Sequence, residues 1–118
     1  MTLREGDATR LTILLHADAH WHRHALSDEI IHRALAAGLA GASRFHGIEG
    51  FGSSGVVHTD VDPDIMSGLP CSVVIVDPSE EKVRAFLPHL DEILDHGIVT
   101  LDHIEVAKVI RPTTTTDA

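Results

Sequence analysis

The chain has 118 residues, of which 43% are hydrophobic and only 3% aromatic, and its formal net charge is −9 at pH 7. This length predicts one domain with a core of aliphatic side chains. Asp and Glu outnumber Lys and Arg by 18 to 9 and no basic stripe is present, which argues against nucleic-acid binding.

Cysteine content and hydropathy indicate the cellular compartment of the protein. The one cysteine, Cys71, excludes an intramolecular disulfide and suits a reducing compartment. The N-terminal segment is charged and lacks the apolar region of a signal peptide, and no apolar run approaches the roughly 20 residues of a membrane span. We therefore expect a cytoplasmic protein that does not itself span a membrane.

The first half of the chain is predicted to form a strand, a helix and a second strand. Residues 10–16 (RLTILLH) are a short apolar run typical of a buried strand. Apolar residues then recur at helical spacing from Leu26 to Leu39. Residues 42–52 (ASRFHGIEGFG) are predicted as a strand that runs into a glycine-rich segment.

A long loop is predicted between the two halves of the chain. Residues 53–68 contain scattered Gly, Ser, Asp and Pro and show no hydrophobic period. In a compact domain, loops longer than about 12–15 residues are usually functional or disordered. This segment is therefore a candidate for a functional loop.

The second half repeats the pattern of strand, helix and strand. Residues 69–77 (LPCSVVIVD) are the clearest strand, and the following DPSE predicts a helix with Asp77 as its N-cap. Apolar residues from Val83 to Leu94 form one helical face, and Gly97 ends the helix. Residues 98–110 are predicted to form a last strand or a pair of strands.

This order of elements predicts an α+β fold of the ferredoxin-like type. A βαββαβ chain forms a four-stranded antiparallel sheet with two helices on one face. We expect a single domain over residues 1–110 and a disordered C-terminal tail over residues 111–118.

Several segments resemble the PII-like family that is catalogued as domain of unknown function 190. They are LTILLH, HGIEGFGSSGVVHT, LPCSVVIVD, LPHLDEIL and GIVTLDHIEVAKVI, and the likeness covers residues 10–110. Its most specific part is the hexapeptide GIEGFG at residues 47–52. The family's Gly-Glu-Ser type of turn after the first strand is replaced here by His16-Ala17-Asp18.

The resemblance implies a homotrimer, similar in plan to the nitrogen-regulatory PII signalling proteins. These proteins bind nucleotides or other small effectors between subunits, and they contact a protein or membrane-transporter partner through a long loop. It implies that residues 53–68 are the effector loop, with Ser54, Gly55, His58 and Asp60 as its candidate residues. The candidate ligand-binding residues are Gly47, Glu49, Gly50, Phe51, Gly52 and Ser53, with Arg44 and Lys108 as the nearest cations.

The glycine-rich segment has two interpretations. Its backbone N–H groups could approach a phosphate or a carboxylate closely. Alternatively, its glycines relieve crowding at a bulge or at a subunit contact. It is neither a P-loop nor a dinucleotide-binding fingerprint, because no Gly-Lys-Ser/Thr and no helix follows it.

A histidine-rich stretch gives a second functional hypothesis. Residues 16–24 (HADAHWHRH) contain four of the ten histidines, and imidazoles are common ligands of Zn, Cu and Ni. In an extended backbone His20, His22 and His24 point to one side, whereas in a helix only His20 and His24 share a face. His16 and Asp18 are further candidate ligands. The alternative is an exposed loop between a strand and a helix.

Two functions from different classes follow. The first is a trimeric regulatory protein that binds a small effector, for which we expect a nucleotide, with an adenine nucleotide as the candidate cofactor. The second is a metal-binding or divalent-cation-tolerance protein that uses Zn or Cu at residues 16–24. No nucleophile, base and orienting group stand together in the sequence, so we predict that the protein is not an enzyme.

Overall fold

The computed structural model describes residues 2–52, 54–59 and 68–112. The elements in chain order are β1 (Gly6–His16), β2 (His20–Trp21), β3 (His24–Ala25), α1 (Leu26–Ala36), β4 (Gly41–His46), β5 (Glu49–Gly50), β6 (His58–Thr59), β7 (Pro70–Asp77), α2 (Glu80–Ile93) and β8 (Ile98–Val106). Ser53, residues 60–67 of the predicted loop and residues 113–118 of the predicted tail lie outside the described residues.

The main sheet has the topology that the sequence predicts. Its four strands are ordered β4-β7-β1-β8, and every pair is antiparallel. Leu11 of β1 lies opposite Ile75 of β7 and Leu101 of β8, which fixes the register of the three strands. This is the ferredoxin-like arrangement, so the predicted fold class is confirmed.

The hydrophobic core lies between one face of this sheet and the two helices. Side chains along β1 and β7 alternate, and Leu11, Ile13, Val73 and Ile75 are completely buried on the covered face. The helices contribute further buried side chains, namely Ile30, Ala34, Val83, Phe86, Leu90 and Ile93. The period of two along the strands therefore decides which face the helices cover.

The opposite face of the sheet, which we call the open face, has no helix layer. Cross-strand partners share a face, so Phe45, Ser72, Leu14 and Ile98 form one row across all four strands. Three of these side chains are large and apolar, and they remain 56%, 44% and 60% exposed in the order Phe45, Leu14, Ile98. Contiguous exposed apolar side chains of this kind are typical of interaction surfaces.

The second predicted strand is interrupted after His46. The chain leaves the main sheet there, and β5 pairs instead with β6, with Gly50 opposite His58. Part of the predicted long loop is thus a short β-ladder. The last strand is also shorter than predicted: it ends at Val106, and beyond it the backbone N–H of Val109 donates to the carboxylate of Glu5 (2.8 Å).

The N-cap of α2 is Ser79, so the prediction of Asp77 is wrong. The Ser79 hydroxyl accepts from the backbone N–H of Lys82 (3.1 Å). Asp77 is the last residue of β7 and is completely buried. Its carboxylate accepts from the backbone N–H groups of Ala40 (2.9 Å) and Ser79 (2.8 Å), so it joins the loop after α1 to the start of α2.

Arg33 holds the helices and the β2–β3 hairpin together. Its guanidinium donates to Glu29 and to Glu92, each at 2.7 Å, and lies over the ring of Trp21, 4.9 Å from the centroid. The hydrogen bond from Arg33 keeps the pKa of Glu92 below its ordinary value. In the described ranges no helix is long and apolar enough to cross a membrane.

The two hydrogen bonds accepted by Asp77 predict that its substitution lowers the free energy of unfolding. In Asp77→Asn one carboxylate oxygen becomes an NH₂ group, which cannot accept, so one buried N–H loses its partner. We expect the free energy of unfolding to fall by about 1–3 kcal/mol. Urea denaturation at fixed protein concentration measures this change. The same substitution at Asp91, which is exposed on α2, is the control, and an equal loss in both variants would contradict the assignment.

Candidate functional site

A cleft of about 320 Å³ opens at one end of the main sheet, on the side of the open face. It lies where β1 ends, β7 begins and β8 begins. Its lining residues are Leu14, Leu15, His16, Gly50, Phe51, Gly52, Gly68, Pro70, Cys71, His96, Gly97 and Ile98. The lining is mainly apolar, and its volume is at the lower end of small-molecule pockets, about 300–1,000 Å³.

One wall of the cleft is the glycine-rich segment, which is held in place by Pro70. The backbone N–H of Gly47 donates to the carbonyl of Pro70 (2.8 Å). A Cβ on Gly47 would lie 2.5 Å from the Cγ of Pro70, and a Cβ on Gly50 would lie 3.0 Å from it. The absence of a side chain at these two positions lets the segment pack against the proline ring.

Gly52 differs from these two glycines. It lines the cleft, but a Cβ there would meet no described atom within 4 Å, and its backbone is not in the left-handed region. Packing within the described part of the chain therefore gives no reason for glycine at this position. The open space beside Gly52 is where a ligand could approach the backbone closely.

The opposite wall is formed by the start of β8. Gly97 has φ +151°, and a Cβ there would lie 2.9 Å from the carbonyl oxygen of Leu14. At the mouth, Gly68 has φ +76° and would place a Cβ 2.6 Å from the ring of His58. Gly97 therefore lets the chain pass close to the backbone of Leu14, and Gly68 lets it pass close to the ring of His58. A side chain at either position would prevent this contact.

Two imidazoles face the cleft. The rings of His16 and His96 are parallel within 4°, with centroids 5.5 Å apart. Nδ1 of His16 lies 3.4 Å from the carbonyl oxygen of Gly68. His96 is not among the residues predicted for the site, because nothing in the local pattern DHGIV shows that the end of β1 lies beside it.

Cys71 lies at the base of the cleft and is almost completely buried, with 2% exposure. Burial raises the pKa of its thiol, against the smaller opposing effect of a hydrogen bond with Ser27. The thiol is therefore neutral near pH 7 and packs as a small hydrophobic side chain.

Three predicted ligand-binding residues, Arg44, Lys108 and Glu49, do not line the cleft, and a fourth, Ser53, lies outside the described residues. Arg44 reaches α1, where it donates to Ser27 (3.2 Å) and Asp28 (2.9 Å). Lys108 follows the far end of β8, and Glu49 is exposed in β5. Among the predicted effector-loop residues, Ser54 and Gly55 are exposed, His58 contacts Gly68, and Asp60 lies outside the described residues.

The predicted metal ligands do not converge. The chain turns back at His22, which has φ +57°, so residues 20–25 form a hairpin in which His24 pairs with Trp21 and His20 with Ala25. His20 and His24 therefore point to opposite faces of the hairpin. Within the described ranges no group of three His, Cys, Asp or Glu side chains is arranged to hold a metal ion.

Two of the remaining candidates have other contacts. His16 lies in the cleft, and the Asp18 carbonyl is 2.6 Å from Nδ1 of His20. The extended arrangement that would align three histidines does not occur, because two residues of the stretch are used in the turn.

The chain is similar in sequence to proteins of one family. A sequence model of DUF190, described as Uncharacterized ACR, matches residues 8–106. A UPF0166 protein from Aquifex aeolicus (strain VF5) is 34% identical over 77 residues, which are 65% of this chain and 71% of that protein.

Solved structures share the fold. A protein described as PII-like and signaling, from Thermus thermophilus, has a TM-score of 0.62 and 18% identity over 89% of this chain and 94% of its own. CPII, a nitrogen regulatory PII-like protein from Thiomonas intermedia K12, has a TM-score of 0.57 and 20% identity over 89% and 92%; its structure is bound to ADP, AMP and bicarbonate.

A third solved structure belongs to a differently described protein. The divalent ion tolerance protein CutA1 from Ehrlichia chaffeensis has a TM-score of 0.54 and 11% identity over 90% of this chain and 86% of its own. At such identities these likenesses show the PII-like fold alone.

The packing of the glycines in the cleft wall predicts different effects of alanine substitution on the free energy of unfolding. In Gly47→Ala the new methyl group meets the Pro70 ring, so we expect the free energy of unfolding to fall by about 1–3 kcal/mol. Gly52→Ala and the remote Gly41→Ala enter open space and should stay within about 1 kcal/mol of the wild type. Urea denaturation compares the three variants. Equal stability of Gly47→Ala and Gly52→Ala would contradict the packing described.

Proposed function

The chain belongs to the DUF190 family, and we propose that it is a PII-like regulatory protein that binds an adenine nucleotide at the cleft between β1, β8 and the glycine-rich segment. The observation that carries the proposal is Gly52, which lines the cleft and leaves space that no described part of the chain fills. The ADP and AMP bound by the similar fold of CPII support the choice of ligand. We propose a binding role in the cytoplasm rather than catalysis.

The open face supports assembly into a homotrimer. Its row of Phe45, Leu14 and Ile98 is apolar and largely exposed, and β8 is an edge strand of the main sheet. A neighbouring subunit would cover the apolar face and pair the edge. The number three comes from the family resemblance. Because Leu14 and Ile98 also line the cleft, a neighbour on this face would complete the binding site.

The glycine-rich segment and Gly68 connect the ligand to a partner surface. Gly52 and Gly68 both line the cleft; Gly52 precedes the predicted effector loop of residues 53–68, and Gly68 is its last residue. Large apolar side chains are exposed beside them, namely Ile48, Phe51, Val56 and Val57. We propose that ligand binding changes the populations of loop conformations and so the surface offered to a protein or membrane-transporter partner. Ser54, Gly55, His58 and Asp60 are the residues proposed to act in this loop, and Ser53 is proposed to contact the ligand.

Metal binding is the second candidate function. The side chains of His20, His22 and His24 are exposed on the hairpin but diverge within one subunit. A site for Zn or Cu would therefore need histidines from several copies of the chain. The fold of CutA1, a divalent ion tolerance protein, accommodates such a role.

Nucleotide binding is tested on protein purified without a His-tag or nickel resin. Native mass spectrometry and titration calorimetry with ADP should show about one nucleotide per subunit. Gly52→Ala should lower the affinity at least tenfold, because its methyl group occupies ligand space, whereas Gly41→Ala should not. Absence of binding by ADP, AMP and ATP would refute the proposal. Stoichiometric zinc or copper that is lost on replacing His20, His22 and His24 by Ala would favour the second candidate.

Trimer formation is tested through the open face. Val74 lies in the middle of that face, opposite Thr12 and Ser43. Val74→Asp would bury a charge at the subunit contact, so we expect monomers in sedimentation velocity and native mass spectra. Leu35→Asp makes the same change on the exposed side of α1 and should leave a trimer. A monomeric wild type, or a trimeric Val74→Asp variant, would count against the assembly.

A further inference from the structure

We propose that His16 and His96 together bind the phosphate group of the nucleotide, and that they set the preference of the cleft for nucleotides over nucleosides. This inference rests on the proposed function, in which the cleft takes a nucleotide. It differs from the sequence-based expectation, which gave the role of the cation to Arg44 and Lys108.

The positions of the basic side chains determine which of them could bind a phosphate. Phosphate groups are bound by charge-assisted hydrogen bonds, most often from Arg or Lys. No Arg or Lys lines the cleft within the described residues. Six of the nine basic side chains are held elsewhere by the chain's own carboxylates or carbonyls, namely Arg10, Arg33, Arg44, Lys82, Arg84 and Arg111.

The other three basic residues make no such bond within the described residues, but none lies at the cleft. They are Arg4, Arg23 and Lys108. Arg23 lies in the turn of the β2–β3 hairpin. Arg4 precedes β1 and Lys108 follows β8, and these ends of the two strands are paired through Gly6 and Val106. The cleft is at the other end of β8, about 27 Å away along the strand.

The cleft is lined by few titratable side chains. Among the described residues they are His16, His96 and the buried, neutral thiol of Cys71, and they include no Asp or Glu. An anion would therefore meet no carboxylate among these lining side chains. His96 is exposed and makes no hydrogen bond to any described residue, so its ring nitrogens are available to a ligand.

The rings of His16 and His96 are parallel, their centroids are 5.5 Å apart, and both line the cleft. A neutral imidazole donates from one nitrogen and an imidazolium from both, so His96 offers a donor in either form. His16, whose Nδ1 faces the Gly68 carbonyl, donates to a ligand through Nε2 as an imidazolium. The rest of the lining is apolar, with Phe51 and Ile98 as the larger exposed side chains. This division suits a ligand with a flat apolar part and one anionic group. The phosphate thus meets the imidazoles while the base packs on apolar surface.

The inference is tested by the ratio of affinities for ADP and adenosine, measured by titration calorimetry. The wild type should bind ADP at least tenfold more tightly. His96→Phe keeps a ring in place but removes both nitrogens, so it should lose at least tenfold in ADP affinity and change less than about twofold with adenosine. His32→Phe, on the exposed side of α1, is the matched control and should leave both affinities unchanged.

The outcomes separate this inference from the proposed function. If the wild type binds neither ligand, the proposed function fails. If it binds ADP and adenosine equally, or if His96→Phe loses both equally, the nucleotide site stands and the role of the histidines is refuted. Loss of ADP selectivity in Lys108→Met but not in His96→Phe would assign the phosphate to a cation of a neighbouring subunit. His96→Asn repeats the test should the Phe variant fail to fold.

Discussion

The arrangement of the cleft depends on the contact between Pro70 and the glycine-rich segment. The ring of Pro70 fills the space that side chains at Gly47 and Gly50 would occupy, and the Pro70 carbonyl accepts from the N–H of Gly47. This close approach takes the chain out of the main sheet after His46 and carries the glycine-rich segment across the start of β7. The resulting wall contains Gly52, which lines the cleft. A Cβ at Gly52 would meet no described atom within 4 Å.

The cleft also depends on the sheet being covered on one side only. The helices bury Leu11, Ile13, Val73 and Ile75, and the alternation of side chains leaves Leu14 and Ile98 on the other face. The apolar surface proposed for trimer contacts is therefore continuous with the apolar lining of the cleft. Assembly and ligand binding would in that case use one surface, which is how a regulatory protein can couple a ligand to the geometry of its subunits.

The acidic character of the chain shapes the chemistry of the cleft. With twice as many carboxylates as basic side chains, most arginines are engaged in ion pairs within the subunit, for example Arg44 with Asp28. Few basic side chains of the described residues remain free for a ligand, and the ionisable side-chain donors that line the cleft there are the imidazoles of His16 and His96. The proposed nucleotide site is consequently one in which histidine, rather than lysine or arginine, distinguishes a phosphate.

The sequence by itself determined the ferredoxin-like fold and the position of the glycine-rich segment, because hydrophobic period and glycine content are local properties of the chain. It could not determine that His20 and His24 diverge, since this depends on the pairing register of a hairpin. Nor could it reveal that Asp77 accepts from two distant N–H groups, or that His96 stacks on His16 from the other half of the chain. These contacts join residues far apart in the chain, and only the packing of the sheet and helices brings them together.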